Sequence, residues 1–253
     1  MNSWVDWALS LDLFRITSAV MYVIFAVGLF SLGAKYHAAK THGDNSVGQF
    51  PEGYFTMLVI QLFPLLITGF LIYDPYIIGT RLGTLVVVLV VYGMTKSAKG
   101  TFKTRAYRLG VAFWLGAAIL GPMIWVEADG LRAFVQKWEM WIAWASVAAM
   151  ILFVIKGQWA VAKSLFRHFL QGNYTLKRFS LQVVRFLGFF FQAIHYWFAP
   201  SNATPLFGID PIFLQGALGV LGVGIVIILS IIGFIRGSGA RHAKQHPLQL
   251  APG

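Results

Sequence analysis

The chain has 253 residues, 58% hydrophobic and 11% charged, with a mean hydropathy of +0.70. A soluble domain is nearer half apolar and a quarter charged, so an ordinary water-soluble enzyme is excluded. A formal charge of +11 on so apolar a chain marks loops beside a membrane rather than a nucleic-acid surface, and the lack of cysteine removes disulfides, thiolate metal sites and cysteine nucleophiles.

Residues 1–12 carry Trp4 and Trp7 without a basic stretch, which reads as an interfacial segment and not as a cleaved signal peptide. Seven apolar stretches of the length needed to cross a bilayer follow, at 13–34, 54–73, 76–94, 107–126, 139–158, 180–199 and 211–235. The fold class is therefore all-α, a polytopic membrane protein of seven transmembrane helices. Tyr73-Asp74-Pro75 joins the second and third spans tightly, because proline opens a helix more readily than it continues one. The stretch after Arg236 is polar and reads as a disordered cytoplasmic tail, 236–253.

Charge tests the count of spans. Lys35 and Lys40, then Lys96, Lys99, Lys103, Arg105 and Arg108, then Lys156, Lys163, Arg167, Lys177 and Arg178, then Arg236, Arg241 and Lys244 all fall in alternate connections. Seven of the nine acids lie on the other side. The positive-inside rule then puts the N-terminus outside and the C-terminus in the cytoplasm, of a plasma or bacterial inner membrane, which requires an odd number of spans.

The chain also repeats itself. Asp74-Pro75 opens the third span and Asp210-Pro211 the seventh, and each is followed by Leu-Gly at the same offset, Leu82-Gly83 and Leu218-Gly219. The preceding halves correspond as well, so the sequence divides into a first three-helix repeat (13–94), a basic loop, linker helix and outer loop (95–138), and a second three-helix repeat (139–235). A single linker span gives the two triplets one orientation, a parallel repeat.

On these residues the chain resembles the PQ-loop superfamily, in particular its SWEET-type members with three, one and three helices. The segment Tyr73-Asp74-Pro75-Tyr76-Ile77-Ile78 is similar to the SWEET stretch entering the last helix of a triplet. The resemblance implies transport by alternating access, with a site between the triplets. Where the family carries its Pro-Gln hinge, the second repeat has Gly157-Gln158, and the first has Leu32-Gly33-Ala34. The asparagines of SWEET sugar pockets correspond to about Arg81 and Ala217, which shifts the implied solute from a neutral sugar toward an anionic or amide-bearing one.

Candidate substrate-binding residues follow from burial cost. Arg81 lies about 10 Å past the Asp74 cap, at 1.5 Å rise per residue, where an arginine must face protein or water. It reads either as a site for an anionic group, or as a side chain that snorkels to the outer headgroups or pairs with Asp74 or Asp210. Gln61, Gln215 and His195 are polar candidates beside it, with interhelical hydrogen bonding as the alternative. Gln192 precedes His195 by about one turn. Arg185 reads as snorkelling to the basic side. Asp74 and Asp210 read as structural caps. Gly79 and Gly83, with Gly216, Gly219 and Gly222, read as surfaces of close helix approach.

No histidine or carboxylate cluster suggests a metal, no cofactor is implied, and nucleotide-loop, GxSxG and HExxH strings are absent, so no catalytic residue is assigned and an enzyme is not expected. A retinal protein would need a lysine in the seventh span, and 211–235 has none. The alternative function is a non-transporting membrane subunit or receptor, in an oligomer or larger complex, whose basic inner face suits anionic lipid or an acidic partner.

Overall fold

The computed structural model describes residues 6–7, 12–41, 52–71, 74–98, 137–171, 176–202 and 205–245. Six helices account for nearly all of them: α1 (Leu13–Thr41), α2 (Glu52–Leu71), α3 (Pro75–Ala98), α4 (Glu139–Leu170), α5 (Leu176–Phe198) and α6 (Pro211–Gln245). No strand occurs among the described residues, only a single bridge between Leu206 and Ile209. The predicted span at 107–126 lies outside the described residues. The other six each coincide with a helix, and α6 stays helical beyond 235, to Gln245.

Four of these helices, over Leu13–Ser31, Tyr76–Gly93, Glu139–Leu170 and Pro211–Ser238, are long and apolar enough to cross a membrane. Burial is inverted relative to a water-soluble bundle. Leu221, Ile225, Ile228, Ile232 and Ile235 form an exposed stripe along α6, and Val20, Val23, Ile24 and Val27 one along α1. The interior meanwhile holds Arg81, Arg185, Gln61, Gln158, Gln182, Gln192 and Gln215. An apolar outer surface, with the buried arginines and glutamines set inside an otherwise apolar core, is the arrangement that hydrocarbon, not water, stabilises as the surrounding medium. The chain has the architecture of an integral membrane protein.

The helices pack as a ring. α1 lies on α3, α3 on α2, α2 on α4, α4 on α6, α6 on α5, and α5 back on α1. The centre is filled by Tyr22, Phe25, Leu58, Leu62, Met150, Phe153, Leu181, Phe189 and Val223 among others. Close approach is made possible by glycines on α6: a Cβ at Gly219 would lie 2.3 Å from the Phe189 ring, and one at Gly222 2.7 Å from Val154. Gly79 and Gly83 do not serve this purpose, since a Cβ at either would meet nothing from another element within 4 Å. They line a groove of about 320 Å³ between α1 and α3 on the outside of the ring, with Val23, Val27 and Phe30.

Both Asp-Pro helix starts are built alike. Asp74 Oδ1 accepts the amides of Tyr76 (2.9 Å) and Ile77 (3.3 Å), and Asp210 Oδ1 those of Ile212 (2.6 Å) and Phe213 (3.2 Å). Proline at the first helical position needs no acceptor, so the carboxylate satisfies the next two free N–H groups. The approach to α6 is a tight turn at Leu206–Ile209, closed by reciprocal backbone hydrogen bonds of 2.8 and 3.0 Å. Its two central residues, Phe207 (φ 53) and Gly208 (φ 77), are left-handed, and Phe207 packs edge-on to Trp144 of α4.

Candidate functional site

The ring interior carries polar side chains at two depths. The shallower group surrounds Arg81, which is 1% exposed. Its Nη2 donates to Gln192 Oε1 on α5, its guanidinium lies 4.4 Å from the Tyr22 ring centre on α1, and its Nε has no partner. Gln192 is the hub: Oε1 also accepts from the Tyr22 hydroxyl (3.3 Å), while Nε2 donates to the Ile212 carbonyl at the start of α6 (3.2 Å). One glutamine thus ties four helices together. Among the described residues no carboxylate pairs with Arg81. The ion pairs described both belong to Arg15, with Asp12 and Asp74.

The deeper group surrounds Arg185, 3% exposed. Seven residues, about 10 Å at 1.5 Å per residue, separate it from Gln192 along α5. Its Nη2 donates to Gln61 Oε1 on α2 at 3.4 Å, and its guanidinium carbon lies 4.6 Å from the Phe153 ring centre and 5.3 Å from those of Phe25 and Phe189. Arg185 therefore does not snorkel. α5 begins at Leu176, so the residue sits well along the helix, and it shares an inward face with Gln182, Phe189, Gln192 and Tyr196 at helical spacing. That stripe was present in the sequence, and it identifies Arg185, Gln192 and Gln182 once their common face is counted instead of their distance from a loop. Phe189 stands between the two arginine sites, packed edge-on to Tyr22 and against Gly219.

The other sequence candidates lie elsewhere. Gln215 is fully buried but donates to Ser146 Oγ on α4 (2.8 Å), with its own Oε1 unpartnered. His195 is 5% exposed beside Tyr196, its Nδ1 unpartnered. No described hydrogen bond links either to an arginine site, so the four candidates occupy separate places and only Arg81 and Gln61 hold the stations described above. Gly157 and Gln158 fall in a π-helical segment of α4, Phe153–Gln158, where an extra residue per turn breaks the regular ladder. Gln158 is 2% exposed with neither amide atom bonded.

Above the arginines, Asp74 joins three helices. Besides capping α3 it accepts hydrogen bonds from Arg15 of α1 and from the Tyr196 hydroxyl of α5. Ser18 of α1 bonds the Tyr76 hydroxyl and the Gly188 carbonyl at the same end, and Ile77, Tyr196 and Ile212 pack together beside it. Among the described residues Asp210 joins no second helix: its other oxygen accepts the Ser201 amide.

Among the described residues no group of three or more histidine and carboxylate side chains is placed to hold a metal. Comparison with family models, with curated proteins and with solved structures returns no match to this chain.

Proposed function

We propose that the chain is a seven-span transporter of a small polar solute, anionic or amide-bearing, working by alternating access between two parallel three-helix repeats of the PQ-loop, SWEET-like type. The order of neighbours supports the repeat. Within each triplet the third helix lies between the other two, as α1–α3–α2 and α4–α6–α5, and the triplets meet through α1 on α5 and α2 on α4. Exchanging the triplets reproduces the same ring, and it superposes the Asp74 and Asp210 caps in sequence order. Direction supports the seventh span. α3 starts at the capped end, and so does α4, whose Ala143 and Val147 pack on Leu206. The chain between them leaves from one end and returns at the other, a distance spanned by one crossing.

The observation that carries the transport reading is Arg81, a buried guanidinium between the triplets whose neighbours are neutral. A structural arginine in hydrocarbon is ordinarily matched by a carboxylate, because the unpaired charge costs several kcal/mol. In the mechanism, the Asp74–Arg15–Tyr196 tie closes the outer end, and one triplet rocks on the other about the π segment at Gly157-Gln158. The N-terminus is outside and the tail cytoplasmic, in a plasma or bacterial inner membrane. Uptake of radiolabelled solutes into liposomes holding only the purified chain tests this. Arg81→Ala is expected to abolish anion uptake while leaving the melting profile of a folded protein; unchanged uptake removes Arg81 from the site. A chain that moves no solute and purifies with a stoichiometric partner is instead a complex subunit.

A further inference from the structure

The outer groove between α1 and α3 meets the Arg81 site at one side chain. The groove runs from Gly79 to Val87 along α3, eight residues or about 12 Å, beside the outward-facing Val23 and Val27 of α1. Its hydroxyls are already used: Thr80 donates to the Tyr76 carbonyl and Thr84 to the Thr80 carbonyl, both at 2.7 Å. Tyr22, 4% exposed, belongs to its buried wall. The same Tyr22 ring lies 4.4 Å from the Arg81 guanidinium, and its hydroxyl donates to Gln192 Oε1 at 3.3 Å, the longest of the hydrogen bonds described at Gln192. Arg81, on the other side of that contact, is 1% exposed, has an unbonded Nε and pairs with no described carboxylate.

We propose that the groove is the entrance to the Arg81 site from the bilayer, and that the anion bound there is a single-chain fatty acid, its alkyl chain along α1 and α3 and its carboxylate on Arg81. This names the anion class of the reading above and rests on Arg81 as its site. The lining selects the body of the ligand, because apolar walls without a free donor hold an alkyl chain and give a sugar nothing to bond. Size selects a chain over a helix. Twelve ångströms of α-helix, about 10 Å across, occupies roughly 900 Å³ against about 320 Å³ here, so a neighbouring helix rests on the rim. Depth selects the head. Arg81 lies about 10 Å past the Asp74 cap, below the level of a phospholipid phosphate, which stays charged and carries two chains. A carboxyl group is smaller and becomes neutral on protonation, at about pH 4 in water and higher in apolar surroundings. A guanidinium matches a carboxylate by two parallel bonds, and Tyr22 turns aside from Gln192 to admit it.

The probe is dodecanoic acid with a photoreactive diazirine at its chain end, added to the purified full chain in nanodiscs, with labelled peptides mapped by mass spectrometry. Saturable labelling of Val23–Phe30 or Gly79–Val87 is expected, displaced by dodecanoate and not by dodecanol. Gly83→Trp fills the groove from a lipid-facing position and Arg81→Gln removes the cation; each is expected to cut the displaceable labelling at least tenfold. Gly83→Trp keeps the test open where Arg81→Gln fails to fold. Equal displacement by dodecanol, displacement by phosphatidylglycerol, cross-links joining two copies through the groove, or undiminished labelling in Gly83→Trp overturns the proposal. Propionate uptake that Arg81→Gln abolishes and Gly83→Trp leaves at full rate overturns the entrance while sparing Arg81 as the anion site. Displaceable labelling lost in both variants, with no uptake of any solute, supports the site and overturns the transport reading.

Discussion

The two Asp-Pro caps give a controlled comparison. In Asp74→Asn and Asp210→Asn alike, the asparagine oxygen keeps accepting the two helix amides, so the cap itself survives. What differs is the rest of the carboxylate. At Asp74 the substitution removes the charge facing Arg15 and turns an amide toward the Tyr196 hydroxyl, with the site 8% exposed. A charge-assisted bond contributes about 1.5–3 kcal/mol and a neutral one about 1, so neutralising the Arg15 bond, which shares the retained Oδ1, and losing the Tyr196 bond at Oδ2 each cost about 1 kcal/mol or slightly more. The Arg15 side chain is 23% exposed, and solvent screening holds its share toward the lower figure. At Asp210, among the described residues, it is the Ser201 amide that loses its acceptor, about 1 kcal/mol. Asp74→Asn is therefore expected to destabilise by about 2–3 kcal/mol and Asp210→Asn by about 1, measured by reversible unfolding in mixed micelles. A double-mutant cycle with Arg15→Ala isolates the ion pair at about 1–2 kcal/mol. Equal losses at the two aspartates, or no coupling to Arg15, would mean that Asp74 only caps and that its carboxylate adds nothing to the tie between α1, α3 and α5.

Three further outcomes follow from the packing. Gly219→Ala drives a methyl into the Phe189 ring and is expected to cost about 1–3 kcal/mol, while Gly83→Ala, at the matching offset from its own Asp-Pro and facing open space, is neutral or stabilising by up to about 1 kcal/mol; the same micellar unfolding assay reads both. Gln158→Leu removes a buried amide that bonds to nothing and is expected to raise stability by about 1–2 kcal/mol while slowing uptake, as a hinge residue would. Gly208→Ala places a side chain at φ 77 and is expected to cost about 1–2 kcal/mol, seen as a lower melting temperature, with Trp144 fluorescence reporting the loosened turn.

What the sequence made legible was set by which forces act locally. The helices at 13–34, 54–73, 76–94, 139–158, 180–199 and 211–235 are legible because hydrocarbon forces every backbone polar group into local hydrogen bonds, so composition alone sets the element. The Asp-Pro starts are legible for the same reason: a cap is satisfied within three residues. The fate of Gly79 and Gly83 was not, because a small-residue stripe states that approach is permitted, not which neighbour uses it. Arg185 was misread by counting residues from the basic loop. The quantity that mattered was its angular position on α5, alongside Gln192 and Phe189. Nor does any local pattern reveal that Gln61 answers Arg185 while Gln215 answers Ser146, since both pairings are made between helices distant in sequence.

The interior polar groups are the part of this structure that packing does not explain. Phe25, Phe153, Phe189 and Met150 already fill the middle of the ring, and apolar residues of similar volume in place of Arg81 and Arg185 would avoid the desolvation of two guanidinium groups. Interhelical hydrogen bonds within a membrane contribute about 0.6 kcal/mol on average, so the bond from Arg81 to Gln192 does not by itself offset that cost. Neither does the cap at Asp74 require them, since its own cation is Arg15. A buried guanidinium at Arg81, whose described acceptor is the neutral Gln192 Oε1, is an expense that packing alone does not account for.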